Sequence, residues 1–212
     1  MNILVIGATK GIGLRTCEAA LVRGHSVRAF SRSAASIGIS DERLDPFAGD
    51  ALNPDDIARA LAGMDAVIVT LGVRERLSML WQTETLFSAS AEVLLPAMAV
   101  AGVNRLLVVT GFGAGESKAA MSWPERAGHG FILGKPYADK DRQEALVRAS
   151  DLDWTLVRPV ILTNAKKVGA YRTLTDPKDW RNGLISRAEV ADYLVRAAED
   201  GRHVHQAVVL AR

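Results

Sequence analysis

The chain has 212 residues, 49% of them hydrophobic and 24% charged, with a formal net charge of +2. That balance suits one large α/β domain with a buried core, and the small charge, with no basic stripe laced with aromatics, argues against nucleic acid as a partner. Cys17 is the only cysteine, which excludes a disulfide framework or a cysteine metal cluster, and no apolar run approaches the roughly 20 residues of a membrane span. The sequence opens directly on an apolar strand with no leader-like segment, so a cytoplasmic location is expected.

Asn2 to Ile6 is a short run rich in branched residues, suited to a strand buried on both faces. Gly7, Gly11 and Gly13 follow, and from Leu14 to Val22 the apolar residues fall near one helical face. Strand, glycine turn and helix in that order make a phosphate cradle. The helix start offers unpaired N–H groups and partial positive charge, and glycine lets a pyrophosphate approach the backbone. The spacing is G-x-x-x-G-x-G rather than the commoner G-x-G-x-x-G. Cys17 sits on the apolar side of this helix and reads as a packing residue.

Arg23-Gly24-His25 stops the helix, and Ser26 to Phe30 is the second strand. At its carboxyl end, where a dinucleotide fold meets the adenosine ribose, an acid would hold the 2′-hydroxyl. Here stand Ser31-Arg32-Ser33, with Lys10 in the glycine loop. Two cations and no carboxylate favour a 2′-phosphate, hence NADP(H) over NAD(H); a solvated loop charge is the plainer alternative for Arg32.

Ser40 to Phe47 reads as a polar connection, with a short third strand ending at Ala48-Gly49-Asp50. Asp50 and Ala51 are placed to meet the adenine edge, the carboxylate accepting from its amino group. Asn53 caps a helix with Pro54 in its first position, running to about Leu61 and stopping at Gly63. Asp65 to Thr70 is an almost wholly apolar, central fourth strand. Leu71-Gly72 at its end leaves space for a cofactor phosphate or ribose. A loop over 73–82 holds Arg74 and Arg76, and a long helix reaches Ala101 with Gly102 as its cap.

Asn104 to Thr110 is the fifth strand. Residues 111–136 are glycine-rich and are expected to be irregular, either a substrate-side lid or a disordered insert. Tyr137 to Ser150 reads as a helix, Trp154 to Arg158 as the sixth strand, and Gly169 to Arg172 as a small strand. Ser186 to Glu189 is a capping box opening a helix to about Glu199, and Gln206 to Ala211 is the last strand. Strands alternating with helices predict a mainly parallel, doubly wound sheet over a single domain, residues 1–212, with helices on both faces. His203 and His205 alternate on a strand-like stretch but lack a third ligand, so no metal is expected.

Gly7-Ala-Thr-Lys-Gly-Ile-Gly13, Gly49-Asp50, Asp65-Ala-Val-Ile-Val-Thr-Leu-Gly72 and Leu152-Asp-Trp-Thr-Leu-Val-Arg-Pro159 resemble the atypical short-chain dehydrogenase/reductases. Within these the chain is most similar to the single-domain NAD(P)H-binding group that includes NmrA-like proteins and biliverdin-IXβ and flavin reductases, over nearly its whole length. The resemblance implies a Rossmann fold with Gly7, Thr9, Lys10, Gly11 and Ile12 around the pyrophosphate. It sets Arg32 at the 2′-phosphate, Asp50 and Ala51 at the adenine, and Leu71, Gly72 and Arg74 at the middle of the cofactor. Thr110, Pro159 and Ile161 would lie near the nicotinamide.

The pattern departs where chemistry is expected. Many short-chain reductases use a tyrosine proton donor with a lysine four residues later; here Tyr137 and Lys140 are three apart, and Pro136 stands in the tyrosine position. Both spacings share a helical face, so Thr110, Tyr137 and Lys140 form the candidate catalytic set, against a plain surface pair at a helix start. Gly111 and Val160 replace a serine and a histidine of the biliverdin and flavin reductases. Phe112, Met121 or Trp123 would border a flat acceptor, or simply pack a lid. The expected function is an NADPH-dependent oxidoreductase acting on a small flat or carbonyl-bearing acceptor such as a flavin or quinone, as a monomer or homodimer. The rival is an NmrA-like NADP(H) sensor without turnover. An epimerase or dehydratase would need a sugar-nucleotide domain for which this length leaves little room.

Overall fold

The computed structural model describes residues 1–72, 85–121, 123–166 and 169–212, and for 123–135 the backbone alone. Its first unit is β1 (Asn2–Ile6), α1 (Gly11–Val22) and β2 (Ser26–Ser31). Then come β3 (Leu44–Ala48), α2 (Pro54–Leu61), β4 (Ala66–Val69), α3 (Leu86–Ala101) and β5 (Arg105–Val109). A 3₁₀ turn at Gly115–Ala120 leads to α4 (Trp123–Arg148) and β6 (Asp153–Pro159). The chain closes with β7 (Ile161–Thr163), β8 (Arg172–Leu174), β9 (Leu184–Ser186), α5 (Arg187–Glu199) and β10 (Gln206–Ala211).

Eight strands form one sheet in the order β3-β2-β1-β4-β5-β6-β10-β8, and β7 pairs with β9 in a separate two-stranded sheet. All neighbours are parallel except β8, which runs antiparallel to β10 at one edge. This is the Rossmann-type arrangement, with the order reversing between β1 and β4. Strand alternation splits β1 between two cores. Ile3 and Val5 pack with Cys17 and Leu21 of α1 and Val190 and Leu194 of α5, whereas Leu4 and Ile6 pack with Ile57 and Leu61 of α2 and Leu94 and Met98 of α3. Cys17 is indeed buried packing, and burial pushes its thiol up to about 12.

The punctuation falls where expected. Asn53 accepts from the Asp55 and Asp56 N–H groups, Gly102 adopts a left-handed φ of 69° behind α3, and Ser186 with Glu189 forms a complete capping box. Three expectations change. The third strand lies within the supposed connection, at Leu44–Ala48, and tolerates Pro46 because β3 is an edge strand. The small strand after Gly169 is Arg172–Leu174. The irregular segment over 111–136 is largely regular instead: the 3₁₀ turn and the first half of α4 occupy it. Gly128, Gly130, Gly134 and Pro136 disguise that helix, each glycine costing about 1 kcal/mol against alanine, while packing along α3 supports it. His203 and His205 lie in a turn, both with left-handed φ near 55°. They hydrogen-bond Tyr193 Oη and the Leu152 carbonyl respectively.

Candidate functional site

The carboxyl edge of the central strands is built from close backbone contacts. Gly7 and Ala8 both donate to the Phe30 carbonyl, at 3.0 and 3.3 Å, which ties the end of β1 to β2. Thr70 Oγ1, at the end of β4, donates to the Ile6 carbonyl at 2.9 Å. A Cβ on Gly13 would overlap the Gly7 carbonyl oxygen and stand 2.6 Å from Thr70 Oγ1. Gly13 is therefore glycine because α1 is pressed against the strand ends, and Gly7 because its φ of 90° and the Thr70 carbonyl group, 3.0 Å from where a Cβ would stand, leave no place for a side chain. Gly11 differs: with φ of 61°, it has open space where a Cβ would point, with Arg187 Nε the nearest atom at 4.0 Å.

The start of α1 is left bare. Lys10 takes the N-cap position in extended conformation, makes no side-chain cap bond, and no acid lies in the first turn. An anion meeting these N–H groups displaces nothing from the protein. Thr9 and Ile12 are half-buried beside this loop, and Lys10 and Gly11 are exposed. Arg32 is exposed in the turn after β2, and among the described residues no carboxylate pairs with it or with Lys10. Asp50 is half-buried; its Oδ1 accepts from the Leu52 N–H at 3.1 Å, while the side chain of Ala51 is buried in the core under α2. Leu71 is half-buried and Gly72 exposed, with no atom of the described residues within 4 Å of where its Cβ would stand. Arg74 and Arg76 lie outside the described residues. The glycine cradle, the uncapped helix and cations with no carboxylate partner among the described residues fit the phosphates of a dinucleotide.

A second set meets where β5 and β6 end. Phe112 N–H donates to the Pro159 carbonyl at 3.0 Å, which holds the two strand ends together. Pro159 is buried, and two residues on Ile161 is 57% exposed, an apolar side chain facing outward at this edge. The structure brings Thr110, Tyr137 and Lys140 together, but in unequal roles. Lys140 Nζ donates to the Thr110 carbonyl and lies 5.2 Å from the centre of the Tyr137 ring and 5.1 Å from that of Phe87. The Tyr137 hydroxyl lies against Gly111, where a Cβ would come within 2.6 Å of it. Thr110 is only 3% exposed, and its hydroxyl donates to Glu144 Oε1 at 2.7 Å, into the protein. Burial pushes the Tyr137 phenol up to about 12 and draws the Lys140 ammonium down to about 8, the latter partly offset by Glu144.

Phe112 and Met121 are buried members of the core, so lid packing, not an acceptor wall, is their role; the Trp123 side chain lies outside the described residues. The turn they belong to is tied down. Glu116 pairs with Arg158 at 2.6 Å, and the Gly115 N–H donates to Asp141 at 2.7 Å. Arg158, fully buried in β6, also pairs with Glu144 through Nε at 3.0 Å and through Nη2. Asp139, one residue before Lys140, accepts from the Phe87 and Ser88 N–H groups at 2.8 and 3.4 Å and thereby caps α3. Sequence reasoning missed Glu144, Arg158 and Asp139, whose partners lie far away in the chain. It also missed Arg187, which carries a signal: a cation directly after a helix cap at the carboxyl edge.

Fold and site define a Rossmann-type dinucleotide-binding protein. The chain belongs to the NAD(P)H-binding family, whose profile matches residues 7–201. It is 28% identical over 207 residues, 94% of this chain and 89% of the other, to a protein of Bacillus subtilis (strain 168) named as an uncharacterized sugar epimerase, YhfK. Among solved structures, the oxidoreductase ylbE from Lactococcus lactis superposes with a TM-score of 0.84 at 19% identity, over 100% of this chain and 91% of that one. ChuY, an anaerobillin reductase from Escherichia coli O157:H7, gives 0.79 at 24% identity, over 100% and 97%. A short-chain dehydrogenase/reductase from Veillonella parvula DSM 2008 in complex with NADP gives 0.82 at 17% identity, over 100% and 94%. These structural likenesses show the Rossmann fold. No helix among the described residues is long and apolar enough to cross a membrane.

Proposed function

We propose that the protein is an NADPH-dependent oxidoreductase that reduces a small flat or carbonyl-bearing acceptor, such as a flavin or quinone, at the carboxyl edge of β5 and β6. Lys10 and Arg32 bind the 2′-phosphate and confer preference for NADP(H) over NAD(H), and Asp50 accepts from the adenine amino group. Thr9, Gly11 and Ile12 line the pyrophosphate cradle, with Gly72 leaving room beside it, and Pro159 and Ile161 border the nicotinamide. Bound NADPH supplies a hydride, so the acceptor gains two electrons and one hydrogen from the cofactor and a proton from an acid.

The observation that carries this reading is the Tyr137 hydroxyl against Gly111, beside the half-buried Lys140. A serine at residue 111, as in the biliverdin and flavin reductases, would collide with that hydroxyl. Tyr137 thus takes the space, and with it the polar role, that residue 111 gives up. With its phenol raised to about 12, Tyr137 is a neutral hydrogen-bond donor at working pH. Lys140 holds the strand end in place and adds positive charge near the acceptor. Two of the structural neighbours carry the names oxidoreductase and reductase, in keeping with this chemistry.

The NADP(H) sensor remains the second reading, and one observation favours it: the Thr110 hydroxyl is committed to Glu144 and cannot polarise an acceptor. Following NADPH absorbance against flavins, quinones and carbonyls separates the two. Turnover, with Tyr137→Phe slowing carbonyl reduction by about 10²-fold, supports the reductase. Tight NADPH binding without turnover on any acceptor class identifies the sensor.

A further inference from the structure

Facing the glycine loop is a cation from the far end of the chain. Arg187 is the first residue of α5, and α5 packs along α1 so that both helices start at the same sheet edge. Its Nε lies 4.0 Å from the point where a Cβ on Gly11 would stand. Asn164, just after β7, accepts from Nη1 at 2.9 Å and holds the guanidinium across the opening. Among the described residues no carboxylate pairs with Arg187. The nearby acid of the capping box, Glu189, is turned to Ser186, whose N–H and Oγ it accepts from at 3.0 and 2.9 Å.

Three sources of positive charge therefore meet with no paired carboxylate among the described residues: the start of α1, Lys10 at its N-cap and Arg187 above Gly11. A helix start repels a cation, so the arrangement is unfavourable in itself and favourable around an anion. A guanidinium presents its donors as a planar fork matched to phosphate oxygens, and Asn164 occupies only one of them. We infer that Arg187, oriented by Asn164, is a clamp for the cofactor's pyrophosphate, closing on it from the side opposite the α1 N–H groups. This rests on the reading that the pyrophosphate lies on the glycine loop. The site is specific for a diphosphate bridge and is separate from the 2′-phosphate contact of Arg32.

The test is calorimetric titration of the full chain with NADP+ and with adenosine 2′-monophosphate, which has the 2′-phosphate and no pyrophosphate. Arg187→Gln should weaken NADP+ at least tenfold and leave the monophosphate within twofold of wild type. Arg187→Lys should recover part of the loss, and raised salt should shrink the gap between wild type and Arg187→Gln. Unfolding curves check that each variant is folded. NADP+ affinity within twofold of wild type in Arg187→Gln overturns the clamp, and so does an equal loss for both ligands. Gly11→Val separates the underlying reading: if it abolishes NADP+ binding while Arg187→Gln does not affect it, only the clamp is wrong. If Gly11→Val binds NADP+ normally, the cofactor is not on the loop and both fail.

Discussion

The two halves of the carboxyl edge are assembled on opposite principles. At β1 and α1 the fit depends on side chains that are absent: Gly13 lets α1 close against the strand ends, Gly7 lets the end of β1 pass the Thr70 backbone, and the helix start is left uncapped. At β5 and α4 the fit depends on polar side chains that are present and wholly or partly buried. Asp139, Lys140, Asp141 and Glu144 of α4 each hold a different neighbour: the start of α3, the end of β5, the turn after β5, and Arg158 of β6. The first design leaves hydrogen-bond capacity open for a ligand. The second uses most of its capacity internally, and among the described residues Tyr137 and the exposed Ile161 stand at its outer edge.

Breaking the polar half should cost most. Glu144→Ala leaves Arg158 fully buried beside the vacated carboxylate site with only the exposed Glu116 as an acid partner, and among the described residues Nη1 of Arg158 already has no hydrogen-bond partner. Removing one partner of a buried pair costs about 3–5 kcal/mol, which for a chain of this size lowers the melting temperature by on the order of 10 °C. Thermal unfolding should show that loss, while the folded fraction still binds NADP+ as wild type does. A loss under about 1 kcal/mol would mean the network behaves as a surface ion pair, and the contrast between the halves would collapse.

The glycine half should respond in both stability and binding. Gly13→Ala forces a methyl group onto the Gly7 carbonyl oxygen and Thr70 Oγ1. Overpacking of this kind costs about 1–3 kcal/mol, and because α1 must move away from β1, NADP+ affinity should fall with it. Chemical denaturation together with NADP+ titration measures the two effects. A variant that loses stability but binds normally would show that α1 can shift without disturbing the cradle.

The difference between the halves also explains what could be read from the sequence. Gly7, Gly11, Gly13, Asn53, Pro54, Gly102 and the Ser186–Glu189 box act on their own neighbours in the chain, so spacing reveals them. The mainly parallel character of the sheet follows from apolar strands alternating with helices. Glu144 and Arg158 meet across 14 residues, Thr110 and Glu144 across 34, and Asp139 and Phe87 across 52, distances over which no local pattern operates. For the same reason α4 was legible only from Tyr137 onward, since its glycine-rich first half lacks the propensity that would announce it.

Arg32→Ala sharpens the cofactor half alone. Arg32 is exposed and, among the described residues, has no carboxylate partner, so stability should hardly change. NADPH affinity should fall about tenfold, or about 1.4 kcal/mol, with NADH affinity unaffected. Equal affinity for the two cofactors in the wild type, or a preference that survives the substitution, would remove the 2′-phosphate role.

A last substitution tests the acceptor half through pH. Burial draws the Lys140 ammonium from 10.5 down to about 8, against the pull of Glu144. An unfolded lysine keeps its proton to about pH 10.4, so between about pH 8 and 10.5 the unfolded chain binds more protons than the folded one. Stability contributed by this group therefore rises with pH across that window; below it the burial cost is present in full. Lys140→Met lacks the titration. Its stability relative to wild type should be highest at pH 7 and should decline steadily between pH 8 and 10.5, as measured by urea midpoints at matched ionic strength. A difference that stays flat with pH would show that Lys140 titrates as it does in solvent, and the amine would then be neither desolvated nor part of the buried support beneath Tyr137.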